Sequence, residues 1–132
     1  MAGTEHKRLV QLLITRARGL GYSVVASDQG YAILGSLETP IPPVLHRHRP
    51  DVLGIKLTHP RIFIGEAKTP GDLNGKRTRE QLADFSSLAD TMFCIAIPAS
   101  AESSLRRALS REGVEWGESM ECMAVPDGLL EG

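Results

Sequence analysis

Apolar residues in the first twenty positions recur at helical spacing. Leu9, Leu12, Leu13 and Leu20 form a stripe that Val10, Ile14 and Ala17 widen. Residues 4–19 therefore read as a helix, with Thr4 as N-cap and Gly19 or Gly21 at its end. The pattern then turns β-like. Tyr22 to Ala26 reads as a strand, Asp28-Gln29-Gly30 as a turn, and Tyr31 to Leu34 as a second strand pairing back. Prolines 40, 42 and 43 and the run His46-Arg47-His48-Arg49 mark residues 35–49 as an exposed loop. Asp51–Leu57 and Arg61–Lys68 form two strands around the turn Thr58-His59-Pro60, which predicts a hairpin. Thr69-Pro70-Gly71-Asp72 breaks the pattern.

Leu82, Phe85, Leu88 and Ala89 then give a helix over about 76–90, and Thr91 to Ile97 reads as a buried strand ended by Pro98. Ser100 is placed to cap a helix running to about Glu112, which Gly113 closes. Val114 to Val125 supplies a last strand, interrupted near Gly117. The order predicts an α/β protein with a mixed central sheet flanked by helices, parallel at one side. The 132 residues fit one domain, able to bury a normal core without disulfides or a structural metal. Cys94 and Cys122 both lie in apolar stretches and read as small buried hydrophobes. Trp116 and Phe85 read as core. No apolar run is long enough to span a membrane, and MAGTEHKRLV is polar where a secretory leader would be apolar, so the expected compartment is the cytoplasm.

Composition is that of an ordinary globular domain, at 42% hydrophobic and 23% charged residues. Net charge is −1, but it is unevenly spread. Residues 1–80 carry 12 Lys and Arg against 7 Asp and Glu, and residues 81–132 carry 3 against 9. One basic and one acidic face would follow, and the basic part contains the residues with the most distinctive chemistry.

Those residues are Pro50-Asp51 and Glu66-Ala67-Lys68. Side chains alternate along a strand, so Glu66 and Lys68 share a face with Ile62 and Ile64, while Phe63, Gly65 and Ala67 face the other way. A carboxylate and a lysine at the end of an apolar strand are costly if merely buried. With a turn at 58–60, the hairpin brings Asp51 to the same end of the sheet. Two carboxylates can hold Mg²⁺ or Mn²⁺, with the Ala67 carbonyl as a further oxygen ligand, and Lys68 can orient the attacking water or neutralise developing charge. The plainer alternative is an ion-pair cluster closing a hairpin end.

This constellation resembles the PD-(D/E)xK motif of the restriction-endonuclease-like superfamily. The resemblance covers roughly residues 5–97, and the surrounding elements are similar to that superfamily's αβββαβ core. It implies a Mg²⁺- or Mn²⁺-dependent nuclease acting on DNA, with RNA as another possible substrate. Asp51, Glu66 and Ala67 would serve as metal ligands and Lys68 as the water-orienting residue. The chain shows no room for a separate sequence-reading domain, so structure-selective cleavage, as in resolvases, or action within a larger complex is expected over sequence-specific restriction. By position, Glu5 matches a glutamate that joins the metal site in archaeal Holliday-junction resolvases. Its other reading is a favourable charge at a helix N-terminus. Gln81, on one helix face with Arg77 and Asp84, matches a polar position near such active sites, although a solvated helix position would explain it too. Arg47, Arg49, Lys76, Arg77 and Arg79 are candidate phosphate contacts. His46 and His48, two apart on a loop, lack ligand partners, so a solvated loop is expected there. The chain is less basic overall than such resolvases. A homodimer through the apolar C-terminal region is compatible with this class. The rival class is a nucleic-acid-binding module that keeps the fold without catalysis.

Overall fold

The computed structural model describes residues 4–28, 40–45, 47–73, 75–114, 117 and 119–130. Tyr31–Leu34, His46 and Trp116 lie outside the described residues.

Helix α1 (Thr4–Gly19) buries Leu9, Val10, Leu13, Ile14 and Ala17. Five strands follow in sequence and lie in the same order across the sheet: β1 (Ser23–Ser27), β2 (Val52–Ile55), β3 (Ile62–Ala67), β4 (Thr91–Pro98) and β5 (Met120–Val125). The first three are antiparallel neighbours, and β3–β4 and β4–β5 pair in parallel. Helix α2 (Lys76–Ser86) makes the first parallel crossover and α3 (Glu102–Arg111) the second. A mixed five-stranded sheet flanked by helices is the result.

The alternation along β3 sorts the core into two layers. Phe63 and Ala67 pack with α1, joined by Val52, Cys94 and Ala96. Ile64 packs with Phe93, Ile95 and Ile97 against Leu82 and Phe85 of α2 and Leu105 and Leu109 of α3. Strand β4 is apolar on both faces because both are covered, as parallel strands generally are. Burial pushes the Cys94 thiol up to about 12 and the Cys122 thiol up to about 11, so neither is a reactive thiolate. Gly65 sits in a tight space between the sheet's own side chains and α1. A Cβ there would lie 3.1 Å from Phe63 Cε1, 3.2 Å from Val52 Cβ and 3.3 Å from Leu13 Cδ1.

Several boundaries differ from the sequence expectation, each for a local reason. Helix α2 stops at Ser86, short of 90, with Ser87 as its C-cap, and Asp90 adopts a left-handed backbone (φ 55°) just before β4. Its carboxylate accepts from the Arg61 N–H at 2.9 Å, and its carbonyl accepts from the Ile62 N–H at 3.0 Å. Ser100 does not cap α3. Its N–H and hydroxyl both donate to the Asp127 carboxylate, within a 3₁₀ turn (Ala99–Ala101) that precedes the helix. Among the described residues the last strand is Met120–Val125, which pairs with Phe93–Pro98 along the other edge of β4. No helix among the described residues is long and apolar enough to cross a membrane.

Gly65→Val should therefore lose about 1–3 kcal/mol of stability through overpacking against α1. Urea denaturation reads this directly, and an unchanged midpoint would mean that α1 yields to the added bulk.

Candidate functional site

The β2–β3 hairpin decides the site. Val52 pairs with Gly65, so Asp51, one residue before β2, meets Glu66 near the end of β3. Their contacts are reciprocal. The Asp51 N–H donates to Glu66 Oε1 at 3.1 Å, and the Ala67 N–H donates to Asp51 Oδ2 at 2.8 Å. Lys68 Nζ lies 3.4 Å from Glu66 Oε2 and donates to Gln81 Oε1 at 2.5 Å. Gln81 is buried on α2, the helix that covers the face of β3 from which Glu66 and Lys68 project. These groups line a cleft of about 660 Å³ with His6, Asp28, Arg49, Thr69, Asp72, Arg77 and Thr78.

Burial sets the electrostatics. Glu66 is 2% exposed. Desolvation, then the nearby Asp51 charge, push its carboxyl well above the usual range, against the pull of Lys68. Desolvation also raises Asp51, opposed by the Ala67 N–H and by His6 and Lys68. Asp72 behaves differently. Burial would raise it, but the N–H and hydroxyl of Thr69 and the charges of Lys68 and His6 together hold it below the usual range. Two desolvated carboxylates thus share one lysine at close range. That donor set fits a hard divalent cation, which offsets like charge in a site where protons would otherwise do so.

The candidate residues separate clearly. Asp51, Glu66, Ala67, Lys68 and Gln81 are brought together. Glu5 does not line the cleft. His6, its neighbour, heads the buried stripe of α1 and faces in, whereas Glu5 is turned about 100° away around the helix. His6 carried no motif of its own, and only its place three and four residues before Leu9 and Val10 signals its direction. Asp28, in a turn signal after β1, also lines the cleft.

The five candidate phosphate contacts do not form one free basic face. Arg49 and Arg77 line the cleft, and Arg49 also donates to the Pro42 carbonyl at 2.8 Å. Arg47 instead makes a two-point contact with Asp84 and approaches Glu80. Lys76 pairs with Glu80, and Arg79 with Glu112. Asp84 and Glu112, from the acidic part of the chain, and Glu80 fold against these bases. The 47–49 segment is not wholly solvated either. His48 is buried, packs edge-on against Phe85 and sits 3.1 Å from Asp84. Asp84 therefore faces this segment and lies outside the cleft lining, unlike Arg77 and Gln81.

The raised carboxyls give a pH signature in the metal-free chain. The folded state holds protons on Glu66 and Asp51 that the unfolded chain has released. Stability contributed by these groups is thus greatest at low pH and falls as pH rises from the ordinary carboxylate range through their folded values. Melting temperature with chelator present should decline above about pH 5, near the unperturbed range. Glu66→Gln should flatten that decline. A wild-type melting temperature that climbs from pH 5 to 8, with the same slope in the variant, would show that these carboxyls are not desolvated in solution.

No family model matches the chain, and no curated protein or solved structure matches it at a significant level.

Proposed function

We propose that this chain is a divalent-cation-dependent nuclease of the restriction-endonuclease-like kind, hydrolysing DNA phosphodiester bonds. The observation that carries this reading is the convergence of Asp51, Glu66 and Lys68 at one end of the hairpin, buried yet open to a cleft. The order α1-β1-β2-β3-α2-β4 agrees with the αβββαβ core of that class. Asp51 and Glu66 would hold Mg²⁺ or Mn²⁺, with Ala67 beside them as a backbone ligand. The cation supplies Lewis acidity toward a phosphate oxygen and makes a bound water more acidic.

The chain's own residues do the rest. Asp51 is positioned by the Ala67 N–H and Glu66 by the Asp51 N–H, so the two carboxylates are oriented before substrate arrives. Gln81 holds the Lys68 ammonium beside the cleft, where it can orient the attacking water and offset charge on the phosphoryl oxygens in the transition state. Arg49 and Arg77 are placed to contact phosphates flanking the scissile bond. The described residues form one sheet and its helices, without a second module to read base sequence, which favours selection by DNA shape. A structure-selective endonuclease, similar in pattern to Holliday-junction resolvases, is the form proposed.

Two measurements test this. Labelled duplex, single-stranded, flap and four-way DNA should be assayed with Mn²⁺. Glu66→Gln and Lys68→Ala should each lower cleavage at least about 10²-fold, the scale of losing one charge-stabilising group, while both variants remain folded in a thermal melt. Activity surviving both substitutions would place the chemistry elsewhere, and binding without cleavage by the wild type would favour a binding module. Separately, DNA affinity should fall steeply with added salt. Arg77→Ala should weaken binding more than Arg47→Ala, because Arg47 is already engaged by Asp84 and Glu80. Equal effects, or salt-independent binding, would count against phosphate contacts in the cleft.

A further inference from the structure

The cleft holds a second group of ligand atoms beside the Asp51–Glu66 pair. His6 comes from the first turns of α1, Asp28 from the residue after β1, and Asp51 from the residue before β2. One ligand atom from each lies within 4.8 Å of the other two. His6 Nε2 is 3.4 Å from Asp28 Oδ2 and 3.7 Å from Asp51 Oδ1. Adjacent ligands of a six-coordinate ion with bonds near 2.1 Å sit about 3 Å apart and opposite ones about 4.2 Å. The two distances from His6 fall between these limits, so shifts of well under an ångström would bring the atoms onto one ion.

The backbone maintains this spacing. The Asp28 N–H donates to the Asp51 carbonyl at 2.6 Å, so the two aspartates move together. Asp51 also divides its two oxygens. Oδ2 accepts from the Ala67 N–H on the Glu66 side, and Oδ1 faces His6. A carboxylate with one oxygen turned each way can serve two ions. All three side chains are partly exposed at the cleft, at 20% for His6, 30% for Asp28 and 14% for Asp51, which gives an ion a route in.

We propose that His6, Asp28 and Asp51 form a second divalent-cation site, sharing Asp51 with the Asp51–Glu66 site and favouring a first-row transition ion such as Mn²⁺ over Mg²⁺. The imidazole sets the preference. Mg²⁺ is held almost wholly by oxygen, whereas first-row transition ions accept nitrogen with higher affinity. The competing explanation is that protonated His6 is itself the cation between two aspartates. What the second ion would do in cleavage rests on the nuclease reading, but its binding does not.

Direct Mn²⁺ titration of the chelated full chain tests the proposal, with free Mn²⁺ followed by its electron paramagnetic resonance signal. The wild type should bind two Mn²⁺. His6→Gln and Asp28→Asn should each abolish one or weaken it at least about tenfold, and Glu66→Gln should remove the other, while Asp51→Asn should impair both. Excess Mg²⁺ should displace only the Glu66-side ion. A thermal melt accompanies each variant. If one fails to fold, the diamagnetic ion Zn²⁺ should still shift the imidazole ¹⁵N resonance of His6 in the wild type, as direct coordination does. Unchanged Mn²⁺ binding in folded His6→Gln and Asp28→Asn, or no Zn²⁺-induced shift at the His6 imidazole nitrogens, overturns the proposal and leaves the Asp51–Glu66 site intact. Loss on His6→Gln with full retention on Glu66→Gln does the reverse, supporting this site and removing the basis of the nuclease reading.

Discussion

The pair of reciprocal hydrogen bonds between Asp51 and the end of β3 is the constraint on which the rest of the site depends. Each carboxylate is held by a backbone N–H of the other's strand or its immediate neighbour. That arrangement ties side-chain position to strand register. A slip of one residue in β2–β3 would turn Glu66 into the α1 layer and put Ala67 in its place. Register in turn is enforced by the core, since Phe63 and Ile64 must enter different layers. The far end of the hairpin is tied down as well. The Tyr22 hydroxyl donates to the Pro60 carbonyl at 2.6 Å, and Asp90 accepts from the Arg61 N–H.

Burying these carboxylates has an electrostatic cost that the chain offsets only in part. Two close, desolvated carboxylates repel, and one lysine beside them cannot neutralise both at short range. Desolvation, with the mutual repulsion of the pair, pushes both carboxyls above their usual range. A divalent cation bound there would remove the same penalty without a proton. Lys68 is kept in reach by Gln81 of α2, so that helix must stay docked on the sheet for the ammonium to keep its place.

Basic residues show how folding redistributes charge that the linear chain separates. Arg47 and Arg79 find carboxylates far away in sequence, at Glu80, Asp84 and Glu112, and Lys76 finds one a helical turn on, at Glu80. These pairs are partly exposed and individually weak, so a polyanion could compete for the bases. Still, a free positive face is narrower than the charge count suggested, and within the cleft it falls to Arg49 and Arg77.

By itself the sequence determined the hairpin, the two-faced alternation of β3 and the meeting of Asp51 with Glu66 and Lys68. All three follow from local rules: a period of two and turn residues at 58–60. The helices α1 and α2 were legible from their apolar stripes for the same reason. Only the tertiary structure decided which residue of α1 reaches the cleft, because Glu5 and His6 are one helical step apart and the docking angle selects between them. It also decided that Asp28 approaches Asp51, that His48 is buried on Phe85 and that Asp84 faces Arg47. These contacts join residues 20 or more positions apart, across elements whose mutual placement is set by packing of the whole core. Periodicity along the chain records which face of an element is buried, and carries no record of what that face is buried against.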